Sequence, residues 1–174
     1  PAGTEFWLTQ KLNGVRATYM DGKLYARSGE EYKGLSSIIA TLDTLSNLYN
    51  GLVFDGELTL IQDHSLNKVS DNEAFRIATG IINSNAEDKN GKIRFTVFDC
   101  LSKDEFLGSK ITSPINYSKR RYFLTELMLL MGDVVEDVKI LPVLYYGTDQ
   151  SQIEVFLDKM VNEDKEGLML NLDV

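Results

Sequence analysis

Apolar positions recur along this chain at two periods, and the change of period marks its elements. Leu35, Ile38, Ile39, Leu42, Leu45 and Leu48 fall on one face of a helix, and Asn50-Gly51 behind them is a stop signal. Ala74, Phe75, Ala78, Ile81 and Ile82 repeat the pattern after Ser70 and Glu73, whose spacing predicts a capping box. Two more helices are predicted, one from about Ser118 to Met131 and one near Ile153 to Val161. Between them, shorter apolar or alternating runs predict strands: "TEFWLTQ", Val15 to Met20, Lys23 to Arg27, "LVFDGELTLI", "IRFTVFDCL", "KILPVLYYG" and "GLMLNL". Asp21-Gly22 predicts a two-residue hairpin loop, whose central positions need positive φ. Pro142 marks its strand as an edge or a bulge. The result is an α+β domain of mostly antiparallel sheets with packed helices, and no repeat, low-complexity tract or long linker divides it.

Composition adds bounds. The 174 residues, 43% hydrophobic and 25% charged, suffice for one substantial core. No run of about 18 apolar residues is present and the N-terminus lacks the parts of a secretory signal, so a soluble protein with no membrane association is expected. The lone Cys100 reads as a small buried hydrophobe in a reducing compartment. A chain that starts at Pro1 with no Met reads as processed or cut from something longer. The net charge of −8, from 18 Lys and Arg against 26 Asp and Glu, argues against a general electrostatic grip on nucleic acid and leaves polyanion contact to local clusters of cations.

One such cluster stands near the start. Lys11 precedes Asn13-Gly14 at a strand end, and Arg16 and Arg27 lie on the hairpin that follows. Gly14 leaves room for a ligand or another backbone to come close. Only about one free lysine in 2500 is neutral at pH 7, so a nucleophilic lysine needs burial or neighbouring cations. Guanidinium groups supply such a field and also match phosphate oxygens. By spacing alone, solvated strand charges are the commoner meaning of these residues. "FDGEL" puts Asp55 and Glu57 on one strand face, and "EGLML" puts Glu166 at the start of another strand. Carboxylates so placed suit a sugar hydroxyl or a magnesium ion. Phe98 offers an aromatic face to a base or else fills the core. His64, alone in a polar loop, is assigned no role.

Taken in order, "KLNGVR", "RSG", "FDGEL", "FTVFD" and "EGLML" resemble the motifs of the covalent nucleotidyltransferases, which comprise ATP-dependent DNA ligases, RNA ligases and mRNA capping enzymes. The resemblance runs from Lys11 to Met169 and is greatest to the adenylation domain of small ATP-dependent DNA ligases of the viral or bacterial kind. The helix opening "YSKRRYFLTEL" is similar to theirs as well. It implies a nucleotidyltransferase (ATP-grasp-like) adenylation domain over residues 1–174, C-terminally incomplete, with the family's OB-fold domain absent from the chain.

The resemblance also implies roles. Lys11 would attack the α-phosphate of ATP and carry AMP, which passes to the 5′-phosphate of nicked duplex DNA before the 3′-hydroxyl seals the strand. Thr9 and Gln10 would border the base, Arg16 the ribose or phosphate, Arg27 the 5′-phosphate of the DNA, and Glu57 a ribose hydroxyl. Phe98 and Met169 would sandwich the adenine, and Glu166 would help hold Mg2+. The implied setting is a monomer in the cytoplasm, encoded by a bacterium or a phage and serving DNA replication and repair. ATP is expected rather than NAD, because the ten residues before Lys11 are too few for the extra N-terminal domain of the NAD-dependent ligases. The alternatives are an RNA ligase, a capping guanylyltransferase, or a catalytically inert nucleotide-binding domain. Asn13 stands where the family's first motif usually has Asp, and Thr9 where many ligases have Glu, which leaves adenine recognition to the backbone near Gln10. The paired lysines of the fifth motif fall beyond Glu166, where eight residues remain.

Overall fold

In a computed structural model of the chain, residues 2–62, 68–108, 115–132 and 135–174 are described; His64 lies outside them. Strand β1 (Phe6–Lys11) does not pair with the hairpin behind it. That hairpin, β2 (Val15–Met20) and β3 (Lys23–Tyr25), turns at Asp21 and Gly22 with φ of 49° and 81°, both in the left-handed region that a tight hairpin loop requires. It starts a six-stranded sheet with β4 (Glu31–Tyr32) on one side and β5 (Leu52–Leu60), β6 (Ile93–Ser102) and β7 (Val138–Ile140) on the other, in the order β4-β3-β2-β5-β6-β7. All neighbours are antiparallel except β6 and β7. Strand β1 instead lies between β8 (Tyr145–Gly147) and β9 (Gly167–Asn171) in a smaller antiparallel sheet.

The main core forms where α1 (Ser36–Asn47), α2 (Asp71–Ile82) and α4 (Tyr117–Met131) cover one face of the larger sheet. Ile38, Leu42 and Leu45, Ala78 and Ile82, and Leu124 and Leu127 meet Tyr19, Phe54, Leu58, Phe95 and Val97 there. A short α3 (Lys103–Phe106) follows β6, and α5 (Ser151–Asn162) packs beside β9, its Phe156 ring 6.2 Å from that of Tyr145. Among the described residues no helix is long and apolar enough to cross a membrane. Cys100 is buried, and that burial pushes its thiol up to about 12, so it stays protonated and inert.

Several expectations change. "KILPVLYYG" is not one strand. Val138–Ile140 joins the large sheet, the chain crosses over at Leu141 to Leu144, and Tyr145–Gly147 joins the small one. Backbone bonds from Leu141 N to Val97 O and from Leu144 N to Leu8 O, each 2.8 Å, tie the crossover to both sheets. Pro142 sits within it, where no ladder donor is lost. Ser70 caps α2 by accepting from Glu73 N at 3.2 Å, but the Glu73 carboxylate turns to Arg76 instead of back to the cap, so half of the predicted box is made. The complete box is at Ser102 and Glu105, which open the unpredicted α3. Leu48 lies past the end of α1 and is 56% exposed, which removes it from the predicted apolar face.

Candidate active site

Period-two alternation gives the large sheet two different faces. On β5, Phe54, Gly56 and Leu58 are buried beneath the helices, and Asp55 and Glu57 point the other way. On β2, Ala17 and Tyr19 are buried and Arg16 shares the face of Glu57, its partner in register. Strand β6 would continue the alternation, but its register shifts. Asp55 pairs with Asp99 and Gly56 with Val97, so Phe98 is an extra residue in a β-bulge. The bulge turns both Phe98 and Asp99 into a cavity of about 790 Å³ that lies between the two sheets.

The small sheet supplies the opposite wall. Thr9 and Lys11 share one face of β1, and Met169, opposite Thr9, and Asn171 continue it on β9. Arg27 reaches the cavity from the segment after β3, and Tyr117 and Leu141 close its inner end. Gly14 also borders it, for a reason the structure makes definite. A Cβ there would stand 2.5 Å from the Leu58 carbonyl oxygen and 3.2 Å from Glu57 Oε2, so the missing side chain admits the β5 backbone.

Charge pairing dominates the site. Lys11 Nζ is 3.2 Å from Glu166 Oε1, just before the point where Gly167 meets Lys11 in register. Arg16 forks onto Asp55, with Nε donating to Oδ1 at 3.1 Å and Nη2 donating to Oδ2. The same guanidinium lies 5.5 Å from the centroid of the Phe98 ring. The hydrogen bond to Asp55 outweighs burial and raises Arg16 above the usual arginine value. Burial pushes the Glu57 carboxyl up to about 7; the Arg16 and Arg27 charges oppose the shift, and Asp55 and Glu166 add to it. Asp99 is held from behind by Arg120, whose Nε donates to Oδ1 at 2.7 Å.

The structure therefore brings Thr9, Gln10, Lys11, Arg16, Arg27, Glu57, Phe98 and Met169 to one cavity and sets Glu166 beside Lys11. Asp99, Tyr117, Leu141 and Asn171 join them without having been singled out in the sequence. Period-two alternation from Met169 would have found Asn171; Asp99 depends on the bulge, and Tyr117 and Leu141 on tertiary packing. A neighbouring cleft of about 1190 Å³ shares Gln10 and Leu12 but contains none of Lys11, Arg16 and Arg27. Among the described residues no three Asp, Glu, His or Cys side chains converge as a metal cage. One carboxylate, Glu166 beside Lys11, still suits magnesium, which keeps waters and takes part of its shell from a substrate's phosphates.

The model of the ATP-dependent DNA ligase domain matches residues 2–172. Among solved structures, the chain is similar to a Lig E DNA ligase at 19% identity and TM-score 0.69, covering 99% of this chain and 57% of that one. The bacteriophage T7 ATP-dependent DNA ligase in complex with ATP matches at 15% identity and TM-score 0.68, over 96% of this chain and 56% of its own. An archaeal ATP-dependent RNA ligase matches at 13% identity and TM-score 0.61, over 98% and 40%. At such identities the likeness shows the nucleotidyltransferase fold, and the chain spans little more than half the length of the two DNA ligases. No curated protein sequence matches it.

Proposed function

The chain belongs to the ATP-dependent DNA ligase domain family, and from that premise we propose that it carries out the activation step of strand sealing, the transfer of AMP from ATP to its own lysine. The observation that carries the proposal is Lys11 on a rigid strand end, facing a cavity whose far wall offers two arginines and an aromatic ring. Lys11 gives up its ammonium proton to solvent, and its neutral Nζ forms a bond to the α-phosphorus as the bond to the pyrophosphate oxygen breaks, releasing a second proton as the phosphoramidate forms. The phosphoramidate then breaks when a 5′-phosphate oxygen of nicked duplex DNA takes the AMP, and the lysine nitrogen recovers a proton. Finally, the 3′-hydroxyl oxygen bonds to the phosphorus of the DNA 5′-phosphate as that phosphorus loses its bond to AMP, and the hydroxyl proton passes to solvent.

In this reading Phe98 and Met169 flank the adenine, and Thr9 and Gln10 border its edge. Glu57 accepts from a ribose hydroxyl, and Arg27 meets the 5′-phosphate of the DNA. Arg16, now over Phe98, turns to the ribose and phosphate when the base takes the ring face. Mg2+, held by Glu166 together with phosphate oxygens, would supply charge neutralisation at the triphosphate. We place the reaction in a monomer in the cytoplasm of a bacterium or of a phage-infected cell, serving DNA replication and repair.

Intact mass spectrometry after incubation with ATP and magnesium tests the proposal: one added AMP, mapped to Lys11, is expected, and no adduct or one on another residue would overturn it. The fold shared with an archaeal RNA ligase supports a second reading, in which the strand is RNA. Sealing of nicked DNA against nicked RNA by the adenylated protein decides between them.

A further inference from the structure

The inner end of the cavity holds two polar side chains whose contacts with each other set what they offer a ligand. Thr9 is 3% exposed, and its Oγ1 accepts from Asn171 Nδ2 at 3.4 Å. Among the described residues no other hydrogen bond engages either side chain. Three groups are left over: the Asn171 carbonyl Oδ1, an acceptor, and the second Asn171 Nδ2 hydrogen and the Thr9 hydroxyl hydrogen, both donors. Both residues line the cavity with Phe98 and Met169.

An acceptor beside a donor complements the edge of adenine, where an amine stands next to a bare ring nitrogen, and a carboxamide makes such two-point contacts well. Guanine presents the reverse order, a carbonyl oxygen next to a ring N–H. An amide turned half a revolution exchanges its donor and acceptor, and a hydroxyl serves as either. We propose that Asn171, braced by Thr9, reads the edge of the purine and, because the pair is reversible, admits GTP alongside ATP. This rests on the adenylation reading of the same cavity.

The test uses ATP and GTP analogues with a methylene bridge between the α- and β-phosphorus, so that binding is read without transfer. The single tryptophan, Trp7, packs edge-on against Tyr117 at 5.2 Å, and Tyr117 lines the cavity, so its fluorescence reports occupancy. The two analogues should bind within about tenfold of each other, the scale of one neutral hydrogen bond. Asn171→Leu should weaken both by about tenfold. A thousandfold preference for the ATP analogue in the unmodified chain, or unchanged binding in Asn171→Leu, would overturn the inference. Expected binding ratios without a Lys11 adduct from ATP would overturn the proposed function and leave this inference standing; failure of both analogues to bind would remove both.

Discussion

The two faces of the large sheet come from the same strands and have opposite characters. Beneath the helices, Ala17, Tyr19, Phe54, Leu58, Phe95 and Val97 are at most 3% exposed. Toward the cavity the alternate positions are Arg16, Asp55, Glu57, Phe98 and Asp99, most of them charged. The first face contributes burial, on the order of 1.5–3 kcal/mol for each large side chain removed from water. The second carries three carboxylates in a partly desolvated space, held by the Arg16 fork on Asp55 and the Arg120 bond to Asp99. Its cost shows at Glu57, whose proton is retained to about pH 7. A strand thus divides stability and chemistry by side-chain parity, which makes the two separately mutable.

The largest effect is expected at Lys11, the proposed nucleophile, which faces the charged side of the large sheet from β1 of the small one. Arg keeps the charge of Lys11 but gives no neutral amine near pH 7, so Lys11→Arg should form no nucleotide adduct by intact mass, while stability changes by no more than about 0.5 kcal/mol in urea unfolding. An adduct at normal yield would remove the assigned role.

Next in size is a pair of phenylalanines on opposite faces. Phe54→Ala should cost about 3–5 kcal/mol in unfolding free energy, because its ring is fully enclosed. Phe98→Leu should cost less than about 1.5 kcal/mol of stability while weakening nucleotide binding by about 1 kcal/mol, since volume is nearly kept and only the stacking face is lost. Equal destabilisation by both, with normal nucleotide binding by Phe98→Leu, would erase the distinction.

Gly56 belongs to the face beneath the helices and stands between Asp55 and Glu57 in the chain. A Cβ there would collide with the Thr96 carbonyl oxygen and the Phe95 ring, so Gly56→Ala should destabilise by about 1–3 kcal/mol through strand separation, measured by the urea midpoint. An unchanged midpoint would mean that the β5–β6 contact is looser than its geometry implies.

The smallest effect concerns pH. Glu57 ionises near 4.5 when unfolded and at about 7 when folded, so between these values the folded state holds an extra proton and stability falls as pH rises. Glu57→Gln should remove a loss on the order of 1 kcal/mol, kept modest because the group is partly in contact with solvent. Urea midpoints at about pH 5 and about pH 7.5 check it; the same slope in both proteins would assign the shift elsewhere.

Local chemistry by itself determined most of the elements. The helical periods at Ile38 to Leu45 and at Ala74 to Ile82, the Asp21-Gly22 turn and the strand alternation around Asp55 and Glu57 each follow from interactions within a few residues, so they were legible before any fold was known. The order of the motifs likewise pointed to the family that the matching domain model shows. What only the tertiary structure decided depends on partners distant in sequence. The crossover at Leu141 to Leu144 exists because Ile140 and Tyr145 find different sheets, and no local pattern distinguishes a strand that changes sheets from one that continues. The bulge at Phe98 depends on how β6 meets β5, and it alone turns Asp99 to the same side as the ring. The Asn171 contact with Thr9 spans 162 residues and needs β1 between β8 and β9. Short-range propensity sets the period of a segment, but register and pairing are set by the long-range burial that only the assembled sheets provide.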